Sequence, residues 1–212
     1  MNTDIKHYPR SGAIASEKAA SSSGLEQLVC AVRASGALLL LCGVAYTGSV
    51  TLLGQALFPH QATGSLIEHN GKMVGANWVA QEFVSPGYFH SRPSAVSHDP
   101  TSTGGSNLAP SNPELVERVR QDSLKIQSDY GVAASEIPVD MLSASGSGID
   151  PHISPQAAVF QAERIAENRR IPLEVVMSLI SFNTEAPQWG VFGQERVNVL
   201  RLNLALDQLE SK

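Results

Sequence analysis

The hydrophobic pattern divides the chain into one unbroken apolar run and a longer remainder whose apolar positions recur at short spacings. The run extends from Ala34 to Leu57 (ASGALLLLCGVAYTGSVTLLGQAL) and holds no charged residue. As a helix it is roughly 36 Å long at about 1.5 Å per residue, enough to cross a hydrocarbon core of about 30 Å with some tilt. No other segment matches it. A cleaved signal peptide has a shorter apolar core and a small-residue cut site, whereas here Thr47 to Leu57 stays mostly apolar beyond Ala45. A lipoprotein signal would end in Gly-Cys, and this chain reads Cys42-Gly43. An uncleaved anchor is expected.

Beyond Phe58 the pattern becomes short segments separated by turn residues. Asn70-Gly71, between Ser65–His69 and Lys72–Val74, predicts a hairpin turn. Trp78 to Phe83 fits either a helical turn or a strand. Residues 85–112 read as a long loop, and its aromatic and arginine content argues for order. Asn112-Pro113-Glu114 combines an N-cap, a proline at the first helical position and an acid in the first turn. That helix should run to about Asp129 and bury Leu115, Val119 and Ile126. Ser154-Pro155-Gln156 repeats the signal ahead of Ala157, Ala158, Ile165 and Ala166. Pro172 and Glu174 open a third helix through Val175, Val176, Leu179 and Ile180, and Asn198 caps a fourth through Leu202, Ala205, Leu206 and Leu209. Glu136 to Met141 reads as a strand. The fold class expected is α+β: one N-terminal transmembrane helix, then one mixed domain of about four helices and a few short strands.

Charge adds an orientation. Lys6, Arg10, Lys18 and Arg33 precede the run, and the next basic residue after it is Lys72. Lys/Arg excess marks the cytoplasmic side, so residues 1–33 should form a flexible cytoplasmic tail, with helical spacing over Leu25 to Arg33. Residues 34–57 then form the span and residues 58–212 the extracytoplasmic domain, periplasmic if the membrane is a Gram-negative inner membrane. That domain carries 11 basic against 17 acidic residues, and the first 57 residues carry 4 against 3. An acidic balance argues against nucleic acid as a partner, because phosphate binding needs a basic face. Both cysteines, Cys30 and Cys42, fall at or inside the span, so the outer domain folds without disulfides.

Candidate chemistry is sparse. Neither a GxxxxGK[ST] loop nor the Asp-Lys-Thr-Gly phosphorylation motif occurs. The nearest nucleotide-like string is Gly104, Gly105, Ser106 and Asn107, whose glycine amides can cradle a phosphate, against the simpler reading of an ordered glycine turn. Asp150 and His152, after Ser145-Gly146-Ser147-Gly148, suggest an acid–base or metal pair, against the simpler reading of a turn into the Ser154 cap. His60, His69, His90, His98 and His152 lack paired zinc spacing. Tyr88, Phe89 and Arg92 are residue types that dominate binding hot spots, so they read either as interface anchors or as packing for the loop. In the span, Gly43, Thr47, Thr51 and Gly54 fall on one helical face, where small side chains admit a partner helix.

Several blocks occur in order after the single span: FPHQATGSL (58–66), GYFHSRPSA (87–95), GGSNLAPSNPEL (104–115), ASGSGIDPHISPQAA (144–158) and VNVLRLNLALDQL (197–209). From about Leu38 to the end the chain resembles the C subunit of the Kdp potassium-transporting P-type ATPase. Residues 1–33 look like an extension to that family's pattern. The resemblance implies a non-catalytic accessory subunit beside a channel-like A subunit and an ATPase B subunit, in the cell inner membrane. It also implies a catalytic chaperone that raises the ATPase subunit's affinity for ATP. No cofactor is expected to be held firmly, and ATP is reached only through the complex. A signal-anchored periplasmic enzyme and a general membrane-anchored adaptor are the alternatives.

Overall fold

Ser23 starts the first helix. Its hydroxyl accepts from the Glu26 amide at 3.3 Å while the Glu26 carboxylate accepts from the Ser23 amide at 3.0 Å, a reciprocal cap. The computed structural model describes residues 23–210. Helix α1 runs unbroken over Gly24–Leu57, so it begins ahead of the apolar run and includes the Leu25–Arg33 stretch. Residues 1–22 of the expected tail, with Lys6, Arg10 and Lys18, lie outside the described residues. Within α1, Leu39–Tyr46 is wound as a π-helix. Thr47 Oγ1 donates to Cys42 O at 2.9 Å, five residues back, at the end of that wider winding.

The chain divides into two compact units between Leu57 and Phe58. In the second unit, after a short helix α2 (Pro59–Ala62), strands β1 (Leu66–His69) and β2 (Lys72–Ala76) pair antiparallel. Their turn residues Asn70 and Gly71 have φ of 51° and 75°, the left-handed pair that a two-residue hairpin loop of type I′ requires. Trp78 to Phe83 forms neither helix nor strand. This stretch is irregular and held by scattered bonds, Gln81 Nε2 to Val74 O at 2.8 Å and Ala80 N to Ile149 O at 2.9 Å.

Helix α3 (Pro113–Tyr130) begins at Asn112, whose side chain accepts from Glu114 N, and ends at Gly131 with φ 66°. Leu115, Val119 and Ile126 are half-buried rather than buried. The helix packs against the segment that follows it and, through Tyr130, on Phe160 with ring centroids 4.8 Å apart, while much of its surface stays exposed. That segment corrects the strand expected over Glu136 to Met141. It is a 3₁₀ turn (Ala134–Glu136) and a single-turn helix α4 (Val139–Leu142), with Pro138 at the N-cap. Proline has no N–H to give a ladder, and Asp140 is occupied with the Ser154 amide at 2.8 Å and hydroxyl at 3.1 Å.

The core lies around α5 (Pro155–Arg169), α6 (Leu173–Phe182) and α7 (Val199–Glu210). They pack in sequence, α5 on α6 and α6 on α7, beside a small antiparallel sheet of order β3-β5-β4. Its strands are β3 (His152–Ile153), β4 (Thr184–Glu185) and β5 (Arg196–Asn198). Ile153, Ile165, Val176, Val197, Leu202 and Leu206 are buried there. Asn198 joins strand to helix: its Oδ1 accepts from Arg201 N at 3.1 Å and its Nδ2 donates to Asn77 O at 2.8 Å. The architecture is α+β with one N-terminal apolar helix.

Candidate functional site

The part of the long loop that holds the expected anchors, Pro86 to Arg92, is ordered by side chains that replace a neighbouring strand. Asn203 clasps Phe89 on both sides, accepting from its amide at 2.8 Å and donating to its carbonyl at 3.0 Å. Gln161 does the same for His90, at 2.8 Å and 3.2 Å. Arg164 donates to the carbonyls of Pro86 and Tyr88, and Arg169 to that of Gly87. A buried segment outside any sheet must have its backbone satisfied, and here amide and guanidinium groups from α5 and α7 satisfy it.

This arrangement turns the expected anchors inward. Phe89 is fully buried in the core, so it presents no surface to a partner, and its assignment as an interface anchor is corrected. Tyr88 is half-buried; its hydroxyl donates to Asp207, and the Arg169 guanidinium lies 4.5 Å from its ring centroid. Burial, then the Asp207 carboxylate, pushes the Tyr88 hydroxyl above its ordinary value. Arg92 reaches Asp150 Oδ2 at 3.3 Å and Ser143 O at 3.4 Å. Asp150 in turn accepts from the His152 amide at 3.1 Å and sits 3.2 Å from its Nδ1. Burial pushes the Asp150 carboxyl up, but the His152 bonds and the Arg92 charge outweigh it and hold the group below the ordinary range. The Asp150–His152 pair is thus one end of a three-residue strut. Among the described residues no three His, Cys, Asp or Glu side chains gather as a metal site.

Two glycine strings lie backbone against backbone. Gly104 N donates to Ser147 O at 2.8 Å. A Cβ on Gly105 would stand 3.0 Å from Gly146 O, and one on Gly148 (φ +73°) only 2.8 Å from Gly104 O. Close approach explains these glycines, and the Gly104 amide is committed to the fold. Asn107 is exposed with φ 52°, and Ser106 borders an adjoining cleft that also receives His90, Arg92 and His98. Burial pushes the His90 imidazole below its ordinary 6.5, and the Arg164 charge adds to that.

Sequence reasoning missed the most exposed apolar surface of the second unit. Phe182 is 88 % exposed, and the turn over Pro187–Phe192 carries Trp189 at 83 %, Val191 at 76 % and Phe192 at 60 %. The turn closes on itself, with Gln188 and Phe192 exchanging backbone bonds of 2.8 Å and 3.0 Å. Trp189 and Phe192 meet edge to face at 6.0 Å. Singly exposed apolar residues need no explanation, but a hydrogen-bonded turn presenting three of them is the form of a contact surface. The available signal was the alternation of large apolar residues with Gly190 and Gly193 in a segment of no helical period. In α1, Gly43, Thr47 and Thr51 are exposed and Gly54 is half-exposed along the helix.

The model of the family described as K+-transporting ATPase, c chain (KdpC) matches residues 28–208. A potassium-transporting ATPase KdpC subunit of Shewanella putrefaciens is 56 % identical over 184 residues, 87 % of this chain and 92 % of that protein. Subunits of the same name from Acidobacterium capsulatum and Caldanaerobacter subterraneus are 49 % and 47 % identical over 162 and 158 residues. These cover 76 % and 74 % of this chain and 86 % and 82 % of the relatives. A match over this much of the chain, by a family model and by relatives near half identity, means that the chain belongs to the KdpC family of potassium-transporting ATPase subunits.

Proposed function

We propose that the chain is the non-catalytic accessory subunit of its potassium-transporting ATPase, anchored by α1 and holding a channel-like subunit and an ATPase subunit together. The observation that carries this reading is the self-closed apolar turn at Trp189, Val191 and Phe192, whose side chains are exposed. Arg33 ahead of a base-free stretch from Ala34 to Gly71 supports a cytoplasmic N-terminus and an extracytoplasmic second unit. The small-residue face at Gly43, Thr47, Thr51 and Gly54 gives a partner helix room to approach. Any effect on ATP use by the ATPase subunit, the catalytic-chaperone role, then travels through the membrane helices, since ATP is cytoplasmic. A signal-anchored enzyme is less well supported. Its nearest acid–base pair is Asp150–His152, and Arg92 already occupies the other carboxylate oxygen.

Pull-down from mild detergent with crosslink mapping tests the proposal. A channel-like and an ATPase subunit should co-purify, with crosslinks near Trp189 and along α1. Recovery of the chain alone would leave it an anchored adaptor. An alkaline phosphatase fusion after Lys212 should be active outside the cytoplasm, and activity of a cytoplasmic reporter there would reverse the orientation.

A further inference from the structure

A groove of about 560 Å³ opens in the second unit among α2, α6 and α7. Leu179, Phe182, Leu204 and Leu209 give it apolar walls. Phe182 is the most exposed large apolar side chain among the described residues. It is also held in place. Phe182 ends α6, and the next two residues close the helix: Asn183 Nδ2 donates to Leu179 O at 2.8 Å and Thr184 Oγ1 to Ile180 O at 2.7 Å. Carbonyls that the last turn leaves open are satisfied, so Phe182 stands on a capped helix end rather than a frayed one.

The chain itself ties this groove to the end of α1. His60, three residues past Leu57, lines it together with Phe182. Three residues span at most about 11 Å, so that wall stays close to the end of the apolar run whatever angle the second unit takes. Charge points the same way. Arg201 carries the one fixed charge among the described residues that line the groove, in a unit with 17 acidic residues. Glu185 receives Arg196 at 2.9 Å and Arg201 at 3.3 Å, and two guanidinium groups against one carboxylate leave a net charge of +1. Arg201, the looser partner, is half-exposed. It stands in the first turn of α7, at the positive end of the helix dipole, where a basic residue does nothing for the helix.

We propose that this face docks on the membrane leaflet that α1 leaves at Leu57 and takes an anionic phospholipid, its phosphate at Arg201 and its acyl region against Phe182 and the apolar groove. The proposal rests on α1 being the membrane anchor. An exposed arginine beside a protruding aromatic ring suits the interface: the ring enters the boundary between headgroups and acyl chains, and the guanidinium stays with the phosphates. Lipid surrounds the exit of an anchor on every side, so this occupant needs no further subunit to be placed there. No residue of the Trp189 turn lines the groove. The lipid contact is therefore separate from the surface assigned to assembly.

The test uses the full chain in nanodiscs, with Cys30→Ala and Cys42→Ala and a fluorophore attached through Ser181→Cys, an exposed position beside Phe182. A lipid with a nitroxide in its headgroup is the quencher, in discs of phosphatidylcholine with or without phosphatidylglycerol. Quenching should be strong with phosphatidylglycerol, weaker without it, and reduced by added salt. The docked-to-free ratio read from it should fall about fivefold in Arg201→Gln, the factor for one basic group at an anionic surface, and less than about twofold in Arg201→Lys. Phe182→Ser, at a site with no part in the core, should lower it about tenfold. If Arg201→Gln lowers the urea midpoint, Phe182→Ser and the lipid dependence decide. A chain that elutes apart from the discs removes the anchor, and the proposal with it. A chain that stays in the discs with its probe unquenched overturns the proposal alone. Quenching that is equal in both lipids and unmoved by either substitution does the same. A probe open to aqueous iodide in the discs and shielded only in the assembled complex gives this face to a neighbouring subunit, and likewise overturns the proposal.

Discussion

Two irregular segments of the second unit carry aromatic side chains, and they face opposite ways. From Pro86 to Arg92, Phe89 is sealed in the core and the backbone is clasped by Asn203, Gln161, Arg164 and Arg169. From Pro187 to Phe192 the backbone bonds to itself, and Trp189 and Phe192 stand in solvent. The two segments have similar residue types, so composition does not separate them. What separates them is where their backbone bonds go. A segment that borrows partners from α5 and α7 is drawn into the core with its side chains. One that closes its own turn needs nothing from the core, and its side chains are free to meet another surface.

The sharpest way to break that contrast is truncation at the two aromatic sites. Phe89→Ala should destabilise the folded chain by about 3–5 kcal/mol, the range for a buried phenylalanine, as a lower urea midpoint followed by tryptophan fluorescence. Asn203→Ala should follow at about 1–3 kcal/mol, because it leaves the Phe89 amide and carbonyl unpaired inside the protein. A Phe89→Ala variant with an unchanged midpoint would mean that the loop is not clamped, and the comparison would collapse.

Elements that announce themselves locally were legible in the sequence. The hairpin at Asn70-Gly71, the helix starts at Asn112 and Ser154, and the Asn198 cap depend on residues within four positions of each other. The strands β3, β4 and β5 were not legible. Two or three residues long, they exist only because distant segments pair, as Ile153 does with Val197. The strand expected over Glu136–Met141 failed because an apolar run read in isolation does not reveal that Pro138 caps a helical turn. The candidate site divides the same way. Tyr88, Phe89 and Arg92 stand out by residue type, but the direction of the segment depends on Asn203, Gln161 and Asp150, which lie 114, 71 and 58 residues from their partners Phe89, His90 and Arg92. No pattern in the loop itself carries that information.

A smaller effect on stability, and a larger one on assembly, is expected at the outward segment. Trp189→Ser should leave the urea midpoint within about 0.5 kcal/mol of the unaltered chain, as surface changes do. If Trp189 is a central contact in the complex, the same change should cost about 2 kcal/mol of association, roughly thirtyfold in affinity, measured by co-purification at graded detergent dilution. Gly190→Val tests the turn itself. Its φ of 75° disfavours a β-branched residue, so the turn should open and association fall even with Trp189 intact. Full association by both variants would leave the exposed turn without a role and move the search for contacts to α1.

The smallest effect expected is a pH dependence confined to the inward segment. His90 is half-buried with Nε2 3.0 Å from Ser85 O, which can only accept, so Nε2 carries a proton whether or not the ring is charged. Burial first, then the charges of Arg164 and Lys125, depress its pKa below 6.5, while Ser85 O and Asp129 pull the other way. A depressed histidine binds its proton more readily in the unfolded chain. Its contribution is therefore complete above 6.5 and is lost as pH falls through the lower folded value. Asp150 is also depressed, but from 3.8, so its contribution is lost only in more acidic solution and the two windows stay apart. Urea midpoints measured from pH 7.5 downward should decline first in the His90 window. His90→Gln should flatten that part of the curve and leave the Asp150 part unchanged, whereas Trp189→Ser should alter neither. A His90→Gln curve parallel to that of the unaltered chain would mean that the ring titrates in water, and that the segment holding it opens far more readily than its clasped backbone implies.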